Sequence, residues 1–329
     1  MVNGKGENER GNQRRRNPVG PIASRIEQLN EVQFAYLLLS PVILLLLAIA
    51  VWPLIGTFQM SLRADALTGA SNVGEFVGFQ NYIELLTGQR DAVMARPFLD
   101  LSNPLQSALI VTIVFAVVSV TLETLIGFAQ ALVLDQEFWG RRWVRVAIII
   151  PWSVPIVIQG MIFFLMFSPA VGFAVEPMQQ LGIFSSTPLN NSVDSLIIVI
   201  LADVWKTSAF MALLILAGLQ SIDRSLYDVA KVSGASRWQS FKLITLPLVL
   251  PAVIVAMLFR TIDAMRVYGL IESVTTCSTV PSLSCMVVST FGARRYGTSA
   301  AIAFITAAII GVAVLVYITK FSDNRGGGF

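Results

Sequence analysis

Apolar residues fall along this chain in long runs, broken by short polar stretches and one long one. Six runs, 34–56, 105–134, 144–167, 196–219, 248–270 and 300–321, reach the length a helix needs to cross a bilayer core. The pattern therefore predicts an all-α integral membrane protein of six transmembrane helices. Around them it leaves a polar tail (1–33), a first helix (34–56), an outer loop (57–104), a larger helical core (105–321) and a short polar end (322–329). The first 33 residues hold Arg14, Arg15 and Arg16 but no apolar stretch before a small-residue cleavage site, so they read as a cytoplasmic tail rather than a signal peptide.

Composition agrees with the pattern and narrows the chemistry. The chain is 55% hydrophobic and 13% charged with mean hydropathy +0.72, against roughly 25% charged residues in soluble proteins. It contains no histidine, which removes the usual metal ligand and general base, so neither a metal site nor catalytic residues are expected. The net charge of +3 implies no nucleic acid. The placement of the basic residues is more telling. With both termini inside, 15 lysines and arginines lie in cytoplasmic segments and 5 outside, the asymmetry that fixes topology. Arg14–Arg16 read as an orientation signal near anionic lipid, and Trp139 and Trp143, beside Arg141, Arg142 and Arg145, as an inner interfacial anchor. The 48 residues of 57–104 are long for a connection and imply a contact outside.

Six charges fall at membrane depth: Glu123, Asp203, Lys206, Arg260, Asp263 and Arg266. Facing lipid they would be costly, so each is expected to face protein or a watery cavity. Asp203 with Lys206, Arg260 with Asp263, and Asp263 with Arg266 are spaced i, i+3, which places each pair on one helical face. Two readings stand open, helix-to-helix pairing and a polar path for a hydroxyl-rich solute. In the second, Asp203 and Arg260 bond hydroxyls, Asp263 lines the same path, and Trp152, Trp205, Phe210 and Tyr268 stack on sugar rings; the alternative for these aromatics is plain core. Pro151, Pro155 and Gly160 must break the third span, as a gate or as a packing bend.

The loop 221–247 is too polar to span yet is patterned. Leu226, Val229, Ala230 and Val232 share one side of a short helix opened by Asp223 or Ser225 and broken by Gly234. A second stretch from Ser236 presents Trp238, Phe241 and Ile244 and is expected to stop at Leu246-Pro247. Helix, glycine turn and helix beneath a membrane make a knob for a cytoplasmic partner.

This loop resembles the EAA loop of ABC-importer permeases: Asp228-Val229-Ala230, three residues, Gly234, nine residues, then Ile244-x-Leu246-Pro247, with Ala235 after the glycine. Aspartate stands for the usual glutamate, keeping the charge, and Val229 for the first alanine. Residues 76–82 (FVGFQNY), 151–155 (PWSVP), Trp205, 217–220 (AGLQ), 259–261 (FRT) and 265–267 (MRV) are similar to permeases of the maltose and glycerol-phosphate class. Residues 275–279 (TTCST) depart from the glycine-rich turn common there.

The resemblance implies the type I ABC importer permease architecture over 105–321 in a cell membrane, with 221–247 as coupling loop. It further implies a second permease subunit, an ABC ATPase dimer, an extracytoplasmic solute-binding protein, and a sugar, oligosaccharide or related polyol as cargo. No G-x-x-x-x-G-K-[ST] loop is present, so ATP is expected on the partner subunit and no cofactor on this chain. A proton- or ion-coupled carrier built on Asp203, Asp263 and Glu123 is the rival reading. It lacks an inverted repeat in the sequence and has no use for an elaborate inner loop. Cys277 and Cys285, in an outer segment where disulfides persist, are either bridged or free.

Overall fold

The computed structural model describes residues 29–67 and 73–325, with the side chains of residue 93 and of 321–325 left aside. Most of the N-terminal tail, with Arg14–Arg16, and residues 326–329 of the C-terminal end lie outside the described residues. The chain forms two compact units, one ending at Thr57 and one beginning at Phe58.

Among the described residues, five unbroken helices are long and apolar enough to cross a membrane: α1 (Glu31–Ser61), α3 (Ala108–Asp135), α7 (Ser192–Gln220), α9 (Arg237–Ala264) and α12 (Tyr296–Arg325). The bent pair α4 (Arg141–Ser153) and α5 (Ile156–Phe167), set at 92° to one another, is together long and apolar enough for a sixth. Val154 and Pro155 between them are extended, because the residue before a proline is pushed out of the helical region. Local capping explains two starts. The Asn191 side chain accepts from the N–H groups of Val193 and Asp194 at 2.9 and 3.1 Å and begins α7, and Ser107 begins α3.

Two prolines are absorbed rather than breaking their helices. Before Pro53 and again before Pro247, one turn widens to a π-helix (Leu47–Val51 and Phe241–Thr245), and the preceding residue donates to the carbonyl five back. The helix therefore does not stop at Leu246-Pro247. It continues from the inner loop to Ala264, correcting the expected break, since the wider turn re-routes the bonds that proline would cost. At its other end the span is shorter than the hydropathy suggested. Residues 265–268 form a turn before α10 (Gly269–Val274), because Met265, Val267 and Leu270 are apolar for the sake of the protein core rather than lipid.

The second unit packs around α7, which lies against α3 and α9. Gly127 of α3 sits where a Cβ would come within 2.5 Å of the Met211 Cβ, so only glycine permits this approach. Fully buried Phe115, Ile198 and Ile271 make a central cluster. Leu134, Met211, Ile215 and Val249 fill the inner half. Leu85, Phe98, Leu283 and Ile302 fill the outer end.

The outer loop is not wholly irregular. β1 (Arg63–Asp65) and β2 (Val73–Phe76) pair antiparallel, a small departure from the all-α expectation, and lead into α2 (Gln80–Leu86). Further short helices are α6 (Val175–Gln180), α8 (Ser225–Val232) and α11 (Leu283–Gly292).

Candidate functional site: a coupling loop and a membrane-depth charge cluster

The inner loop is built by local chemistry. The Asp223 carboxylate accepts from the Ser225 N–H at 2.9 Å at the head of α8, and this bond holds its carboxyl below the ordinary 3.8. Gly234 ends the helix at φ +82°, a conformation that L side chains rarely adopt, while nothing lies within 4 Å of a Cβ placed there. The backbone sets this requirement, not space. Ala235 N–H then reaches back to the Ala230 carbonyl at 2.9 Å. Ser236 and Gln239 exchange side-chain and backbone bonds to start α9.

Three residues tether the loop to the bundle. Ile222 is buried, the Tyr227 hydroxyl meets the Thr245 hydroxyl at 2.9 Å, and Arg224 pairs with Asp135 at 2.7 Å. Further along, Phe241 meets Phe128 and Ile244 packs on the inner core, while much of the rest points away. Asp228, Val229, Val232, Gly234, Trp238, Leu246 and Pro247 are exposed, with Val232 at 90%, and Ala230 and Ala235 are half-buried. A short helix that leaves its valines uncovered is an unfilled contact.

The membrane-depth charges converge differently from the i, i+3 expectation. Arg260 donates through Nε to Glu123 Oε2 at 2.5 Å and through Nη2 to Glu123 Oε1 at 3.0 Å, a forked pair between α9 and α3. Nη2 also meets Asp203 of α7, and Nη1 meets Asp263 Oδ2 at 2.7 Å. Arg260 and Asp263 do pair as the spacing suggested. No ion pair joins Asp203 to Lys206, or Asp263 to Arg266, among the described residues; Asp203 turns instead toward Arg260 on a neighbouring helix. One guanidinium thus knits three spanning helices.

Exposure grades the cluster. Glu123 is fully buried and Arg260 nearly so, whereas the Asp263 side chain is 71% exposed beside them. Asp203, Arg260, Asp263, Arg266 and Tyr268 line a cavity of about 120 Å³. The other three aromatic candidates, Trp152, Trp205 and Phe210, do not line that cavity. Trp152 faces Phe210 with ring centroids 6.3 Å apart, and Trp205 faces Phe163 at 6.0 Å. Trp152 and Trp205 are both exposed. Trp205 belongs to a stripe with Val193, Ile197 and Leu201, the open line of an otherwise buried α7. Cys277 and Cys285 are joined, with Cα atoms 5.6 Å apart, beside a second cavity of about 260 Å³ that Arg96 and Glu272 also line.

Sequence reasoning passed over a second arginine hub outside. Arg90 bonds Glu84 at 2.7 Å, Asp65 at 3.0 Å, Asn81 at 2.7 Å and the Thr298 hydroxyl. Asp65 in turn accepts from the Thr298 N–H at 2.9 Å, binding the outer loop to the start of α12. The only hint in the sequence was Asn81 inside the FVGFQNY string, since its partners lie far along the chain.

Crossing helices, a bent third span and an exposed inner knob define a multi-span membrane permease. The model of a protein family described as "Binding-protein-dependent transport system inner membrane component" matches residues 123–325, and the chain belongs to that family. It is 34% identical over 291 residues to the trehalose/maltose transport system permease protein MalF of Thermococcus litoralis, covering 88% of this chain and 93% of that one. It is 31% identical over 303 residues to the trehalose transport system permease protein SugA of Mycobacterium tuberculosis, covering 92% of each. A solved bacterial ABC transporter involved in the import of the acidic polysaccharide alginate has the same fold, with TM-score 0.71 and 21% identity over 92% of this chain and 99% of that one. The chain is therefore a multi-pass inner-membrane permease subunit of an ABC importer and not its ATPase.

Proposed function

We propose that this chain forms one half of the pathway of a sugar importer, taking a di- or oligosaccharide of the trehalose and maltose kind or a related polyol from an extracytoplasmic binding protein. The observation that carries the reading is the exposed α8, tethered by Tyr227 and Arg224 and ended by Gly234, at the head of a spanning helix. Such a knob fits a cleft on a separate ATPase dimer, and closure of that dimer on ATP would shift the permease between two states. Relatives that carry trehalose and maltose support the cargo class.

A second permease subunit is part of the proposal. The 120 Å³ cavity is far below the roughly 300 Å³ of an enclosed small-molecule site. The exposed line of Trp205, with Lys206 and Asp263 nearby, needs another surface to complete a path. In this reading Asp263, Trp152, Trp205, Phe210 and Tyr268 face the solute, while Arg260 and Asp203 are positioning residues. The Cys277–Cys285 bridge ties the outer segment to the first turn of α11. Intact cells treated with a thiol reagent without reductant are expected to leave both cysteines unmodified, and ready labelling of both would remove the bridge from the proposal.

The coupling assignment is tested in proteoliposomes holding the full transporter, with its binding protein, ATP and labelled trehalose or maltose. Gly234→Asp, and deletion of Asp228 to Ala230, are expected to leave the protein in the membrane and abolish uptake. Normal uptake by either variant would refute the coupling role; no uptake of either sugar by the unaltered protein would refute the cargo class alone.

A further inference from the structure

The outer loop has an apolar core in Leu85 and Phe98 and, beside it, a polar interior. Asn81 is fully buried and donates to the carbonyls of Ser61 and Arg63 at 2.7 and 2.8 Å, and Tyr82 meets the Ser61 hydroxyl at 2.6 Å. Asp65, Thr298 and Arg90 complete that interior. On the outside, Phe79, which precedes α2, and Ile83 and Leu86 within it are spaced i, i+4, i+7 and share one face, opposite buried Asn81 and Leu85. With Phe76 just before them, they are 58 to 69% exposed. Four large apolar side chains left on one exposed face, although the loop has an apolar core of its own in Leu85 and Phe98, are an unfilled contact.

Its height in the fold supplies the reason. Asn81 grips the last residue of α1 and the strand after it, and the Arg63 carbonyl lies so close to Gly297 that a Cβ there would sit 2.1 Å away. Thus α2 lies level with the outer end of one spanning helix and the outer start of another. That level is the headgroup and upper acyl region of the outer leaflet, where a short helix with an apolar face and polar flanks is stable. Gln80 and Thr87 flank the apolar face and are exposed. We propose that the Phe76, Phe79, Ile83 and Leu86 face is a lipid-interface anchor, seated in outer-leaflet phospholipid and holding the Arg90 hub at a fixed depth.

The test places a photo-crosslinking benzoylphenylalanine at position 79, at position 83, or at exposed Glu75 on the same loop, in the full transporter in phospholipid proteoliposomes with and without its binding protein. Phospholipid adducts are expected at 79 and 83 at least fivefold above those at 75, unchanged by binding protein. Adducts at 79 and 83 to the binding protein or to a permease partner would overturn the proposal and make this a protein-docking face. Lipid adducts no greater than those at 75 would overturn it too.

Discussion

Two arginines organise this molecule, and their surroundings set them apart. Arg260 and Arg90 each gather more than one carboxylate; Arg260 forks onto both oxygens of Glu123, whereas Arg90 divides its donors between Glu84 and Asp65. Arg260 is nearly buried at membrane depth and Glu123 beside it is wholly buried, with exposed Asp263 and the small cavity on the other side of the guanidinium. Around Arg90 the outer loop leaves a margin of accessible surface, with the side chain at 15%. The contacts therefore carry different consequences: where no water can replace a lost partner, the partner that stays behind becomes an uncompensated charge.

The strongest way to break the comparison is Arg260→Met. It leaves Glu123 and Asp203 buried without a cation and is expected to cost about 3–5 kcal/mol, read as a large fall in the thermal midpoint of the detergent-solubilised protein. Adding Glu123→Met and Asp203→Asn should restore much of that loss, because apolar or neutral replacements remove the stranded charges. A triple variant no better than Arg260→Met would show that the cluster is held by shape rather than charge.

Arg90→Ala sharpens the contrast. Water can reach Glu84 and Asp65 once the guanidinium is gone, so the expected loss is smaller, about 1.5–3 kcal/mol by the same measurement. The outer hub should also answer to acid. Hydrogen bonds from Gln80 and then Arg90 hold the Glu84 carboxyl below its ordinary 4.5. Its contribution is complete above about pH 4.5 and is lost as pH falls through the lowered value, because protonation then competes with those bonds. The smallest effect expected is therefore a shallower acid decline of the midpoint in Glu84→Gln than in the parent, in a pH series from 7 to 3; parallel declines would show that other groups set the acid limit.

The two hubs also mark how far the sequence can be read. Hydropathy predicted the crossings, because a lipid-facing helix has few alternatives to an apolar run. Glu123, Asp203, Arg260 and Asp263 stood out as costly charges, but neighbours along the helix suggested pairs within one helix, while the fold joined Arg260 to two other helices. The end of the fifth span was misjudged because Met265 and Leu270 serve a protein core that hydropathy cannot tell from lipid. Proline at 247 suggested a stop, since the widened turn that rescues the helix has no sequence mark of its own. The Arg90 hub was hidden because its charges look like ordinary loop polarity until the chain brings residue 298 beside residue 65.

That unbroken helix has a mechanical consequence. From Arg237 in the inner loop to Ala264 it is a single element of 28 residues. Arg260 sits about 35 Å along it from its inner end, at 1.5 Å per residue. A displacement delivered at Trp238 is carried as by a lever arm to the bolt that holds three helices together. Two joints lie on the way, the π turn at Phe241–Thr245 and Pro251, which removes a helical hydrogen bond, so their stiffness sets how much of an inner push arrives at Arg260 as motion.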